Sequence, residues 1–188
     1  MTESLTAQEL HARRGRLTVI DVRTPGEYAA GHVPGALNVP LEHLQRALPA
    51  LRAAAGRGGL AVVCASGARS ESACKALDEA GLDARSVTGG TDAWARAGFE
   101  LERPAGARAV WPMERQVRLA AGSLVLAGLV AGRRRPAARW LSAGVGAGLV
   151  FSAVSNTCGM AALLSRLPHN RPADAAAELE RTLAALRG

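Results

Sequence analysis

Ten consecutive residues have the types and spacing of a nucleophilic site: Val62-Val63-Cys64-Ala65-Ser66-Gly67-Ala68-Arg69-Ser70-Glu71. An apolar run ends at a thiol, a loop of small residues follows, and a helical stretch begins. Backbone N–H groups in so tight a loop turn inward and form an anion cradle, reinforced by the positive end of the helix. Gly67 allows backbone angles that a larger residue resists, and Arg69 brings a permanent cation to the rim. Such a field favours the thiolate of Cys64. A thiolate held inside an anion cradle is suited to attack a substrate that is itself an oxyanion. The plainer reading makes Cys64 a small residue closing a buried strand. The Gly, the Arg and the helix start that follow within six residues argue instead for chemistry.

Other reactive side chains read more quietly. Asp21 and Arg23, at the end of an earlier strand, are an acid and a base close enough to brace a loop, and support of that kind is preferred over a substrate-facing pair. His32, between Gly31 and Val33-Pro34, reads as a turn histidine, since thiolate chemistry needs no general base. Cys74, among Ala73, Ala76 and Leu77, reads as a packed small residue, and Trp94 as core. The three cysteines, Cys64, Cys74 and Cys158, contain no C-x-x-C pair, so neither a structural zinc site nor a disulfide-stapled fold is expected. No metal or organic cofactor is called for.

The elements that must position Cys64 are legible up to about residue 103. Thr6-Ala7-Gln8-Glu9 is a capping box opening a helix that Gly15 stops. Leu17 to Ile20 is a buried strand ending at Asp21, and Pro25 opens a short helix that Gly31 closes. Leu41, Leu44, Leu48 and Leu51 recur at helical spacing over 41–52. Leu60 to Val63 is a second strand, Ser70 to Ala80 a helix closed by Gly81, Ala84 to Val87 a third strand, and Thr91 caps a helix through Ala97. Strands alternating with helices across short links imply an α/β fold with a parallel sheet covered on both faces.

The chain has 188 residues and a net charge of +7, and the surplus is uneven. Residues 1–103 balance twelve basic against twelve acidic side chains, while 104–188 set eleven Arg against four acids. The basic part also contains two long uncharged runs, Leu119–Gly132 and Trp140–Ser165. A basic flank beside apolar runs suits a membrane better than nucleic acid, and aromatics, at 3%, are scarce for base stacking. At about 1.5 Å per residue the second run crosses a hydrocarbon core of about 30 Å; the first needs Val117 and snorkelling Arg115 and Arg118 to complete a crossing. The organisation expected is therefore 1–103, a soluble domain; 104–171, two membrane helices at about 115–132 and 140–165; and 172–188, a polar tail forming a short helix with Leu179, Leu183 and Leu186 on one face.

Gly128-x-x-x-Gly132 and Gly144-x-x-x-Gly148 flank the Arg-rich turn and would either close the hairpin on itself or join two copies into a homodimer. The turn carries Arg133, Arg134, Arg135 and Arg139, against Arg103, Arg108, Arg115, Arg118, Arg166 and Arg171 on the side of both termini. That balance, with an N-terminus that has no apolar signal region, places the soluble domain in the cytosol.

The soluble part resembles the rhodanese-like sulfurtransferase family. Ile20-Asp21-Val22-Arg23 with Glu27-Tyr28 and Gly31-His32-Val33-Pro34-Gly35-Ala36 resembles its N-terminal signature, Cys64 through Ser70 its active loop, and Gly89-Gly90-Thr91 with Trp94 and Gly98 its C-terminal segment. The resemblance spans about 4–103. It implies a five-stranded parallel sheet and transfer of a sulfane sulfur through a persulfide on Cys64. The donor would be thiosulfate or a persulfide, the acceptor cyanide or a thiol, and the substrate loop Ala65, Ser66, Gly67, Ala68, Arg69 and Ser70. The six-residue span from Cys64 to Arg69 is the sulfurtransferase length; related thiol phosphatases use one residue more. A slow persulfide or anion sensor docking a partner at the membrane is a further alternative.

The C-terminal part is similar to a two-helix inner-membrane domain of unassigned function sometimes joined to a rhodanese. Arg115-Gln116-Val117-Arg118-Leu119-Ala120-Ala121-Gly122 and Cys158-Gly159-Met160-Ala161, with Leu163-Leu164 and Leu167-Pro168, carry the likeness. That domain usually has Pro after the cysteine, where this chain has Gly159. The likeness implies a bacterial inner membrane and contact with its lipid. Asn156-Thr157-Cys158 interrupts an apolar run, and polar groups inside a membrane are costly and often functional. Cys158 is thus a candidate sulfur acceptor from Cys64, the plainer alternative being a thiol packed between helices.

Overall fold

A computed structural model describes residues 4–103, 111, 113–155, 159–167, 170 and 175–188. The chain forms two compact units, one made of Met1–Val110 with Arg171–Gly188, the other of Trp111–Asn170.

In the first unit the strands are β1 (Ser4–Leu5), β2 (Thr18–Asp21), β3 (Leu37–Asn38), β4 (Leu60–Val63) and β5 (Ala84–Val87). They lie in the order β1-β5-β4-β2-β3, and every pairing is parallel. The helices are α1 (Ala7–Arg13), α2 (Pro25–Ala29), α3 (Leu44–Gly58), α4 (Ala68–Glu79) and α5 (Gly90–Arg96). Side chains of β4 alternate between two cores. Leu60 and Val62 join Ile20 and Val22 under α3 and α4, while Ala61 and Val63 join Val19, Val87 and Trp94 beside α1 and α5. All four β4 residues are buried, as a central strand covered on both faces must be. Register pairs Asp21 with Val63, so β2 and β4 end level, and Arg23 and Cys64 leave the sheet at the same carboxyl edge.

Several boundaries differ from the sequence reading for physical reasons. The helix expected over 41–52 opens as a tight turn, Leu41–His43, and α3 then runs to Gly58, because buried Ala54 extends the packed face that the leucines begin. Helix α4 starts two residues earlier than Ser70, directly after Gly67, and α5 starts at Gly90 rather than after a Thr91 cap.

The helix expected in the polar tail is present as Ala175–Arg187, but it is part of the first unit rather than a separate tail. Leu179, Leu183 and Leu186 are buried in the core that contains Leu44 and Leu51. Arg57 donates to the carbonyls of Leu186, at 2.7 Å, and Arg187, closing the helix end, and Arg46 pairs with Glu180. Burial of three leucines outweighs the polar composition on which the tail reading rested.

Between these parts of the first unit, the second unit contributes α6 (Met113–Ala131), α7 (Arg139–Ser155) and α8 (Gly159–Leu164), so the C-terminal helix Ala175–Arg187 is α9 in chain order. Pro136–Ser155 is long and apolar enough to cross a membrane, with none of that stretch buried in protein. Trp140, Phe151 and Val154 are 78, 67 and 85% exposed, an outward apolar surface suited to lipid. Helix α6 carries Glu114, Arg115 and Arg118 in its first turns and has a shorter uncharged length. The two glycine motifs behave differently. A Cβ on Gly128 would collide with Ser142 Oγ, and one on Gly132 would lie 2.5 Å from Arg139 Cγ, whereas Gly144 and Gly148 have nothing within 4 Å. Gly128 and Gly132 therefore let α6 and α7 approach, and Ser142 Oγ donates to the Val125 carbonyl at 2.9 Å. Gln116 and Asn170 exchange amide hydrogen bonds of 3.0 and 2.9 Å, tying the start of α6 to the segment after α8.

Candidate active site

Cys64 follows β4 directly and is fully buried. Its carbonyl accepts from Thr91 N–H at 2.8 Å, and the next carbonyl, of Ala65, accepts from Asp92 N–H at 3.0 Å. The start of α5 thus takes up both carbonyls, which leaves the N–H side of the loop free to face the sulfur. That clamp requires Gly90: its φ is +55°, and a Cβ there would overlap the Cys64 carbonyl oxygen. Gly67, at φ +108°, turns the chain into α4, and a Cβ on it would press on Gly89 N at 3.3 Å. These contacts give the Gly89-Gly90-Thr91 segment a definite role beside the loop.

The Gly67 N–H donates to Cys64 Sγ at 3.1 Å, and Ser70 Oγ lies 3.6 Å from the same sulfur. Ser70 Oγ also donates to the Gly67 carbonyl at 2.8 Å and shares a 2.8 Å hydrogen bond with Ser86 Oγ on β5. The sulfur therefore sits at the N-terminus of the twelve-residue α4, where N–H groups and the helix dipole stabilise negative charge. Ala65 and Ser70 are buried in this arrangement, while Ser66 and Ala68 are exposed at its mouth.

Arg69 is held at the edge of the loop by a bidentate pair with Glu27, at 2.8 and 2.9 Å. Glu27 is 2% exposed and closes a capping box on Thr24 at the start of α2. Two elements are thereby fixed to the loop through one carboxylate. Glu27 and Ser86 are site residues that reading the loop alone misses. The capping box Thr24-x-x-Glu27 is a visible signal for Glu27; Ser86, in a short strand, has none.

Asp21 and Arg23 form a second buried pair. Arg23 Nη2 lies 2.6 Å from Asp21 Oδ2 and donates to the Gly31 carbonyl at 2.8 Å. Burial opposes the Arg23 charge, but Asp21, through its charge and hydrogen bonds, outweighs burial and holds the guanidinium pKa above its ordinary value. Asn38 Nδ2 donates to the Asp21 and Arg23 carbonyls, so this pair braces the β2–α2 turn. Among the described residues, the hydrogen bonds of the Asp21 and Arg23 side chains run to each other and to the Gly31 carbonyl, within that turn and its neighbours.

His32 is also built into a turn. Its ring stacks on Tyr28 at 3.7 Å, its Nδ1 is 3.0 Å from the Tyr28 carbonyl, and its backbone pairs with Glu102. Trp94 is buried and donates to the Glu100 carbonyl at 2.9 Å. Cys74 is buried in α4, and burial, with Asp83 and Glu71 nearby, pushes its thiol up to about 12. It stays protonated at neutral pH and is a poor nucleophile. Cys158 lies outside the described residues.

Residues 6–97 match the rhodanese-like domain family, and residues 110–172 match the transmembrane domain of inner membrane protein YgaP-like proteins. An uncharacterized protein of Synechocystis is 36% identical over 171 residues, covering 90% of this chain and 92% of its own length. A sulfurtransferase of Allochromatium vinosum is 37% identical over 92 residues, 47% of this chain and 80% of that protein. The crystal structure of a rhodanese-related protein from Thermoplasma volcanium superposes with a TM-score of 0.51 at 30% identity, covering 54% of this chain and 99% of the other.

Proposed function

Because the chain belongs to the rhodanese-like family and carries a YgaP-like inner-membrane domain, we propose that it is a membrane-anchored sulfurtransferase working through a persulfide on Cys64. Sulfur transfer is the role at the level of the family; the donor, the acceptor and the anchoring are the proposal. The observation that carries it is the Gly67 N–H aimed at Cys64 Sγ from 3.1 Å, at the head of α4. A hydrogen bond to a charged sulfur is worth more than one to a neutral thiol, so this arrangement favours the negative charge that the sulfur bears during transfer.

In the first half-reaction the Cys64 thiolate attacks the outer sulfur of thiosulfate. The new S–S bond forms as the old one breaks, and sulfite leaves with the electron pair. Loop N–H groups from Ala65 to Ser70 meet the donor's negative charge, with Arg69 at the rim. In the second half-reaction cyanide or a thiolate attacks the terminal sulfur, and the electron pair returns to Cys64. Asp21 and Arg23 hold the turn beside β4 and take no part in bond making. The soluble unit works in the cytosol, as the distribution of Arg about the hairpin supports.

The test is the intact mass of the full-length protein after thiosulfate and then cyanide, with Cys64→Ser as control. One added sulfur on Cys64 that cyanide removes, with sulfite released over many turnovers, is the expected result. A folded, reduced protein that takes up no sulfur from thiosulfate or from an alkyl persulfide would overturn the reading. Uptake of one sulfur without turnover would make the chain a persulfide carrier.

A further inference from the structure

A surface cleft of about 350 Å³ lies in the first unit, lined by Thr6, Gln8, Thr88 and Arg96 with three alanines between them. It is separated from the Cys64 loop by a single turn, Thr88-Gly89-Gly90. Thr88 lines the cleft, Gly89 packs against Gly67, and Gly90 backs onto the carbonyls of Cys64 and Ala65. Arg96 is joined to the same turn. Its Nε donates to the Asp92 carbonyl at 3.2 Å, and Asp92 N–H holds the Ala65 carbonyl. A Cβ on Gly89 would lie 3.6 Å from Arg96 Nη2, so the guanidinium lies close over the turn that walls the active loop.

The cations around the loop differ in what balances them. Arg23 is paired with Asp21 and Arg69 with Glu27, both buried carboxylates. Arg96 is exposed, and its hydrogen bond runs to a neutral carbonyl; among the described residues it has no carboxylate partner. A guanidinium without a carboxylate partner, in a cleft that Gln8 and Thr88 also line, is suited to hold a carboxylate. A volume of this size takes a small molecule. A thiol acceptor of that size suits the second half-reaction. Cys64 is fully buried, so an attacking thiol gains from an anchor just outside the loop.

We propose that this cleft is the acceptor subsite and that it selects a small thiol carrying a carboxylate, which Arg96 holds. The proposal rests on the sulfur-transfer reading above. The acceptor thiolate attacks the terminal sulfur of the Cys64 persulfide, an S–S bond forms as the Cys64 S–S bond breaks, and the electron pair returns to Cys64. The terminal sulfur leaves on the acceptor as a new persulfide, and no oxidant is consumed.

The experiment compares 3-mercaptopropionate with 2-mercaptoethanol as acceptors for the full chain loaded with thiosulfate. In Arg96→Gln the ratio of their kcat/KM values is expected to fall about tenfold, through KM, and Arg96→Lys to recover part of it. The ratio does not depend on the fraction of folded protein. An unchanged ratio overturns the subsite. Should the wild-type chain form no persulfide, the functional reading fails separately. The cleft is then judged by calorimetric titration with 3-(methylthio)propionate. Weaker binding in Arg96→Gln than in wild type upholds a carboxylate site, and equal binding or none in wild type removes it.

Discussion

In the first unit, charge is brought inside and cancelled. Asp21 and Arg23 are both buried, and Glu27 closes on Arg69. In the second unit, Arg133, Arg134, Arg135 and Arg139 stay exposed about the turn between α6 and α7, and the helices between carry apolar surface outward. Glycine divides the same way. Gly67 and Gly90 bring backbone N–H and carbonyl groups to a sulfur, while Gly128 and Gly132 bring one helix against another. The same residue types serve one unit by placing polar groups and the other by letting apolar surfaces touch. What decides between the two uses is the solvent each unit faces.

Substitutions can break this contrast, the largest effects first. Asp21→Asn leaves the Arg23 guanidinium buried without its counter-charge and is expected to cost the first unit about 3–5 kcal/mol, read from urea unfolding. Removing one exposed charge of the hairpin turn, as in Arg134→Gln, is expected to stay within about 0.5 kcal/mol. Equal losses from the two changes would erase the contrast.

Gly90→Ala forces a Cβ onto a left-handed backbone and against the Cys64 carbonyl. It is expected to cost about 2 kcal/mol or more and to lower sulfur uptake by Cys64, measured by melting and by intact mass. In the second unit, Gly128→Ala should weaken the hairpin by about 1 kcal/mol, while Gly144→Ala, with open space around it, should change almost nothing. Loss of helicity on titration with a denaturing detergent separates the two. If Gly144→Ala proved the more damaging, the division of labour between the glycine motifs would be reversed.

The last effect shows only at alkaline pH. Burial, with Asp83 and Glu71, raises Cys74 from the ordinary thiol value of 9.0 to about 12, and burial, with Asp21 and Glu102, raises Tyr28 from 10.0 to about 12. In both groups the fold prefers the neutral form, so the unfolded chain ionises first. Their contribution is fully present below the unfolded values and is lost as pH climbs from about 9 through 12. Cys74→Ala is expected to flatten the fall of the urea midpoint between about pH 8 and 11. A Cys74→Ala curve that falls as steeply as the wild type would count against a buried neutral thiol there.

Much of the scaffold was legible because it obeys local rules. Strands β4 and β5 occupy the stretches read for them, β2 begins one residue later than its apolar run and includes Asp21, and α1 opens on the expected Thr6–Glu9 capping box. Strands β1 and β3, two residues each, are too short to carry a period, and only the family resemblance implied a five-stranded sheet. At the site, Cys64, Gly67 and Arg69 could be singled out because a thiol, a glycine and a helix start adjoin. What could not be read was which distant groups meet them. Glu27 lies 42 positions from Arg69, and Ser86 lies 16 from Ser70. Such pairs depend on the level ends of β2 and β4 and on β5 lying beside β4, which are properties of the sheet. The leucines of α9 formed a visible stripe, but the surface they cover lies on α3, far away in sequence.

That last contact has a consequence for how the chain is made. Leu179, Leu183 and Leu186 complete a core whose other members lie before the hairpin, so the second unit is an insertion within the first. A ribosome that has released only Met1–Val110 has delivered the sheet and the Cys64 loop but not the helix that seals α3. The apolar patch on α3 stays open until the hairpin has been synthesised, each missing leucine withholding about 1.5–3 kcal/mol of burial. Synthesis of the membrane segment thus precedes closure of the α3 core, although most of that unit emerges first.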